Sequence, residues 1–222
     1  MFMSKVVLVT GGSSGIGKSI ANYLNSKNGF IVYGTSRNLK NLTDVNFHPL
    51  KLDVSSEVSI KKCVDHIIEA HGKIDVLINN AGVGITGPLE EIPNSEIEKH
   101  FKTNLFGPIN LIKKVLPYMR VENRGLIINI TSIAGHIGTP YRSVYSAGKS
   151  SLDIISETLS MEVKDFNINV LGLIKTLKHY QKNLNENASV ILISSVAAQL
   201  GMPYHASISI CKSAIEGLTR SL

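Results

Sequence analysis

Short apolar runs alternate with amphipathic stretches over the first 80 residues of the chain. Residues 5–10 (KVVLVT) are a continuous apolar run ending at a cluster of Gly and Ser, the pattern of a strand covered on both faces. Residues 18–26 then carry Ile20, Ala21 and Leu24 at helical spacing. Residues 30–35 predict a second strand and 47–54 a third, shorter one. Val58, Ile60, Val64, Ile67 and Ile68 line one face of a helix over 58–70, and 74–79 (IDVLIN) predict a fourth strand. This alternation predicts an α/β fold, a doubly wound, Rossmann-like parallel sheet joined by right-handed crossovers.

A long helix is expected over 95–119, capped by Ser95 with Glu98 three residues on. Pro108 and Pro117 predict a kink or an early end within it. A fifth buried strand follows at 125–131 and a helix rich in Ala, Leu, Ser and Glu at 145–164. Beyond it the chain repeats itself, since residues 169–222 match 104–159 with one two-residue gap. NLFG at 104–107 answers NVLG at 169–172, and the ungapped stretch has 11 identities in 34 positions. The expected organisation is therefore an incomplete core over 1–168 and a partial repeat over 169–222 packed on the same sheet.

Composition narrows this picture without changing it. The chain has 222 residues, 43% of them hydrophobic and 18% charged, which fits a globular chain of one domain or two small ones. Two cysteines, Cys63 and Cys211, make no disulfide framework and favour a reduced, cytoplasmic setting. There is no apolar run of 18 residues, so no membrane span is expected, and the N-terminus is too short in apolar residues for a secretory leader. The net charge of +6 is scattered, with no basic run longer than two, so nucleic acid is not an expected partner.

The chemistry begins at TGGSSGIG, residues 10–17, between a strand and a helix. Gly11, Gly15 and Gly17 allow a tight turn and a close backbone approach, and with Ser13, Ser14 and Ile16 they present a helix N-terminus to a pyrophosphate. At the end of the second strand come Ser36 and Arg37, with no acid until Asp44. An acid there suits a ribose hydroxyl and a base suits a 2′-phosphate, so NADP(H) is favoured over NAD(H). The competing reading of Arg37 is a solvated loop charge. Asn80, Ala81 and Gly82 end the fourth strand where a ribose or nicotinamide would lie, and Asp53 with Val54 would face the adenine. No metal site is expected.

Tyr145 and Lys149 are four apart and share a helix face. An ammonium beside a phenol favours the phenolate, so Tyr145 can trade a proton with a carbonyl oxygen as hydride arrives. Ser132 at the tip of the fifth strand can hydrogen-bond the same oxygen, and Asn104 can hold a water in a relay to Lys149.

Taken together, TGGSSGIG, NNAG, Asn104, Ser132 and YSAGK resemble the short-chain dehydrogenase/reductase family over roughly residues 5–168. The resemblance implies NAD(P)-dependent oxidoreduction of a small-molecule alcohol or carbonyl, with Asn104, Ser132, Tyr145 and Lys149 as a catalytic tetrad and Tyr145 and Lys149 also touching the cofactor. It implies a homodimer or homotetramer joined through the two long helices.

The chain also departs from that family. It has no Pro-Gly turn, and the 168 residues outside the repeat fall short of the family's usual length. In the repeat, Ser195 and Lys212 answer Ser132 and Lys149, but Ile208 stands at the tyrosine position and has no proton to give. Tyr204, answering Tyr141, is too far from Lys212 to replace it. Two architectures fit the junction. A helix over 169–185 followed by an added parallel strand is the favoured one; a sixth strand over 167–174 is the other. Two functions remain in view, an NADP-dependent alcohol/carbonyl oxidoreductase and an inert dinucleotide-binding product of two joined family members.

Overall fold

The computed structural model describes residues 4–172. Six parallel strands lie in the order β3-β2-β1-β4-β5-β6. They are β1 (Lys5–Val9), β2 (Phe30–Ser36), β3 (His48–Lys51), β4 (Val76–Asn79), β5 (Gly125–Asn129) and β6 (Ile168–Gly172). The helices between them are α1 (Gly15–Asn25), α2 (Glu57–His71), α3 (Asn94–Phe101), α4 (Gly107–Val121) and α5 (Ser143–Glu162).

The apolar run of β1 divides by pleat. Val6 and Leu8 join Ile60, Val64 and Ile67 of α2 and Leu111, Val115 and Met119 of α4 on one face. Val7 and Val9 join Ala21 of α1 with Val32, Phe47 and Ile78 on the other. Alternate residues of one strand therefore sit in two separate cores, which is why the run shows no polar alternation. The strand order reverses between β1 and β4, so the carboxyl ends of these strands open into a crevice.

Three expectations are corrected or refined. The long helix begins after Pro93, whose carbonyl accepts from the N–H groups of Glu96 and Ile97, so Ser95 lies inside the first turn rather than capping it. The break falls ahead of Pro108, where residues Lys102–Phe106 form a π-helical turn and the Gly107 N–H reaches back to the Lys102 carbonyl. Pro108 has no N–H for the Asn104 carbonyl four residues back, and the wider turn accommodates this. Pro117 stays within α4, because the carbonyl it leaves unserved belongs to exposed Lys113.

The third correction concerns the junction at residue 169. A helix starting there is overturned in its first residues: Ile168–Gly172 pair with β5 in parallel register from Gly125↔Ile168 to Asn129↔Gly172. Ile168, Val170 and Leu171 are buried there, and the open edge of β5 supplies the backbone partners that a helix would have found within itself. Residues 173–222, including Ser195, Tyr204, Ile208, Cys211 and Lys212, lie outside the described residues.

Candidate active site

The crevice is walled on one side by the Gly-rich turn. Gly11 and Gly15 have φ of +71° and +51°, a left-handed conformation that side chains disfavour. At Gly17 a Cβ would stand 2.2 Å from the Gly11 carbonyl oxygen, so helix and turn can close only on glycine. No side chain caps the N-terminus of α1 at Ser14, and no acid occupies its first turn. The first N–H groups of a helix have no partner within it, and a Cβ at Gly15 would meet nothing within 4 Å, so the turn is open there. This cradle fits a pyrophosphate, which would be held by the backbone of residues 13–17, since the Gly12 N–H is taken by the Thr35 carbonyl at 2.7 Å.

Asn80 also joins the two loops of the crevice. Its Nδ2 donates to the carbonyls of Thr10 (2.9 Å) and Gly11 (3.3 Å), tying the loop after β4 to the Gly-rich turn. Thr10, 1% exposed, completes the strap: its Oγ1 accepts from the N–H groups of Asn80 and Ala81 and donates to the Ile78 carbonyl. At the end of β2, Ser36 is buried and its Oγ accepts from the Asn38 N–H, while Arg37 is exposed. Asp53 Oδ1 accepts from both the N–H and the hydroxyl of Ser55, a turn contact. Val54 is buried against Gly107.

The four residues expected as a tetrad come from three elements: the π-turn, the turn after β5, and α5. Asn104 sits in the π-turn, 1% exposed, and its amide clamps Val83: Oδ1 accepts from the Val83 N–H at 2.8 Å and Nδ2 donates to its carbonyl at 2.7 Å. Those bonds anchor both ends of the amide to Val83. Ser132, at the end of the segment after β5, accepts from the Ala134 N–H at 3.2 Å and keeps its own proton to donate. Tyr145 is half-buried, with the Arg142 guanidinium 4.5 Å above its ring.

Lys149 is 7% exposed, and its ammonium donates to the Ile130 carbonyl at 2.6 Å, two residues before Ser132. Among the described residues no hydrogen bond joins it to Tyr145 and no carboxylate pairs with it. Burial pulls its pKa down to about 8.

A family model described as short chain dehydrogenase matches residues 5–174. The chain belongs to the short-chain dehydrogenase family. A second model, described as Enoyl-(Acyl carrier protein) reductase, matches residues 164–222. The chain is 47% identical over 167 residues to a 3-ketodihydrosphingosine reductase of Bacteroides thetaiotaomicron, covering 75% of this chain and 61% of that protein. It thus spans about three-fifths of that relative's length. A short-chain dehydrogenase from Streptomyces avermitilis superposes with a TM-score of 0.73 at 36% identity, over 76% of this chain and 64% of that one. A metagenomic short-chain oxidoreductase solved in complex with NADP superposes with a TM-score of 0.72 at 31% identity, over 77% and 81%.

In this member of the short-chain dehydrogenase family, several further side chains tie the crevice together. Thr10 belongs to the quoted motif, yet its strapping role depends on β4 lying beside β1. Arg142, three residues before Tyr145, donates to the Thr86 hydroxyl at 2.6 Å, tying α5 to the loop after β4. His100 lies four residues before Asn104, a spacing that put it on the same helix face all along. Asn79, Asn129 and Ser156 form a buried chain of amide and hydroxyl bonds at 2.8 Å each, linking β4, β5 and α5 beneath the crevice. Among the described residues no helix is long and apolar enough to cross a membrane.

Proposed function

We propose that the protein interconverts an alcohol and a ketone or aldehyde using NADP(H), with Tyr145 as the proton donor and acceptor. The observation that supports this reading is that Lys149, one turn along α5 from Tyr145, donates to the Ile130 carbonyl two residues before Ser132, at the carboxyl end of the sheet that also carries the glycine cradle. NADPH, when bound, supplies a hydride, and hence two electrons, to the carbonyl carbon. Tyr145 then gives its hydroxyl proton to the carbonyl oxygen, and Ser132 donates a hydrogen bond to the same oxygen, holding it in place. The Lys149 ammonium, buried and paired with no carboxylate among the described residues, favours the tyrosinate left behind. Arg37, exposed at the end of β2, would pair the 2′-phosphate that distinguishes NADP from NAD. The NADP named in the metagenomic relative's structure supports the same choice.

The alternative of an inert dinucleotide-binding product draws no support from relatives named as reductases and dehydrogenases. The test is NADPH oxidation by the purified protein against a carbonyl panel headed by 3-ketodihydrosphingosine, the substrate in the relative's name. Tyr145→Phe should lower kcat by about 10²–10⁴-fold while NADPH binding, followed by fluorescence, persists. Undiminished turnover in that variant would remove Tyr145 from the role.

A further inference from the structure

Between Asn104 and Tyr145 lies a group that the chemistry above does not use. His100, in the last turn of α3, is 2% exposed. The Asn104 Nδ2 lies 3.1 Å from Nδ1 and 3.1 Å from Nε2 of its ring. The carbon between the two nitrogens blocks any such equidistant point in the ring plane. The amide N–H therefore rests over the ring face rather than on a lone pair. The Tyr145 ring lies 5.9 Å from the imidazole at a tilt of 58°, and Phe101 meets it edge-on at 5.8 Å. Facing it on α5 is Gly148, where a Cβ would stand 2.9 Å from Nε2. The helix carrying Tyr145 and Lys149 thus lacks a side chain at the point where the ring enters.

We propose that His100 is a positioning residue: its ring face seats the Asn104 amide that clamps Val83, and the ring braces Tyr145. The proposal rests on the roles given above to Asn104 and Tyr145. A seat of this kind works only while the imidazole is neutral. An N–H is drawn to the electron-rich face of a neutral ring and repelled by an imidazolium.

The surroundings keep the ring neutral. Burial first, and then the Lys149 charge, hold His100 below its ordinary 6.5; a hydrogen bond to the Val83 backbone pulls the other way, and Arg142 adds a smaller lowering. The charged groups facing it, Lys149 on α5 and Arg142 just ahead of that helix, are thus both cations. On its own helix, Glu96 one turn back pairs with Lys99 at 3.5 Å. The ring charges only in acid, and the site loosens when it does.

The test compares the pH profile of kcat in the wild type, His100→Phe and His100→Ala. The wild type should lose activity as the pH falls below about 6.5, by up to tenfold per unit once the ring titrates. His100→Ala should lower kcat at pH 7 about tenfold, and His100→Phe, a flat ring that cannot charge, should recover most of that loss and show no acid limb. An acid limb that persists in His100→Phe, or an unchanged kcat in His100→Ala, overturns the proposal. A readout independent of turnover is the Asn104 side-chain amide in NMR spectra of the wild type. Its protons should be shifted upfield by the ring current at neutral pH and lose that shift as His100 titrates. Unshifted protons overturn the proposal whether or not the variants fold. A wild type that binds NADPH but turns over no carbonyl would defeat the functional reading, while the amide shift still decides the seat.

Discussion

With 7% of its surface exposed, Lys149 has exchanged nearly all its water for one carbonyl, that of Ile130. Its pKa of about 8 against an ordinary 10.5 has two consequences. In the carbonyl-reducing direction the ammonium is needed, so kcat should fall as the pH rises through about 8. Stability runs the other way. The unfolded chain holds this proton up to 10.5 and the folded chain only to about 8. Stability therefore rises with pH across that window, and below it the buried charge is a standing cost. Lys149→Met should stabilise the protein at pH 7 by about 1–3 kcal/mol while abolishing turnover, with the stabilisation shrinking above pH 8. A denaturant melt at pH 7 and pH 10 checks both the sign and the trend. Legibility at this scale was uneven. Tyr145 and Lys149 announce themselves by a four-residue spacing, and so could His100 and Asn104. That the Lys149 amine turns to Ile130 was not readable, because that carbonyl lies just past β5, 19 residues away in sequence.

Among the elements, the helix pair α3 and α4 shows how a local chemical fact becomes a site. Proline at 108 removes one N–H, and the chain answers with a π-turn that swings Asn104 out of α-helical register onto Val83. The two prolines announce trouble in this helix, but only packing tells them apart. Exposed Lys113 lets α4 absorb Pro117, whereas Gly107 after the π-turn is pressed against Val54, where a Cβ would stand 2.8 Å from the carbonyl. Pro108→Ala restores the missing donor and should let the turn relax towards α-helix. The expected result is a melting temperature equal to or above that of the wild type, with kcat lower by about ten- to hundredfold as Asn104 leaves Val83. Thermal melts run beside turnover assays separate this from simple damage to the fold.

At the scale of the whole molecule, the strand order assembles a site from residues scattered between positions 10 and 149. Because β2 neighbours β1, Arg37 lies at the same sheet edge as the glycine turn. Arg37→Asp should therefore raise the KM for NADPH about tenfold or more and narrow or reverse the preference over NADH. An unchanged ratio of the two cofactors would return Arg37 to the role of a solvated charge. The sixth strand belongs to this scale too. Residues 168–172 suit either a strand or a helix by pattern, and the unpaired edge of β5 decides in favour of the strand.

What the chain determines by itself is local. Apolar runs define β1, β4 and β5, helical spacing defines α1, α2 and α5, and the glycine turn with Ser132, Tyr145 and Lys149 already states a chemistry. These are readable because each depends on neighbours within a few residues, through backbone sterics and side-chain periodicity. The tertiary structure alone decides the Thr10–Asn80 strap, the Asn104 clamp on Val83, the ring beneath that clamp and the course of residues 168–172. Each of these satisfies a buried polar group or an open strand edge with a partner distant in sequence, and such a partner exists only once the sheet has brought the two together.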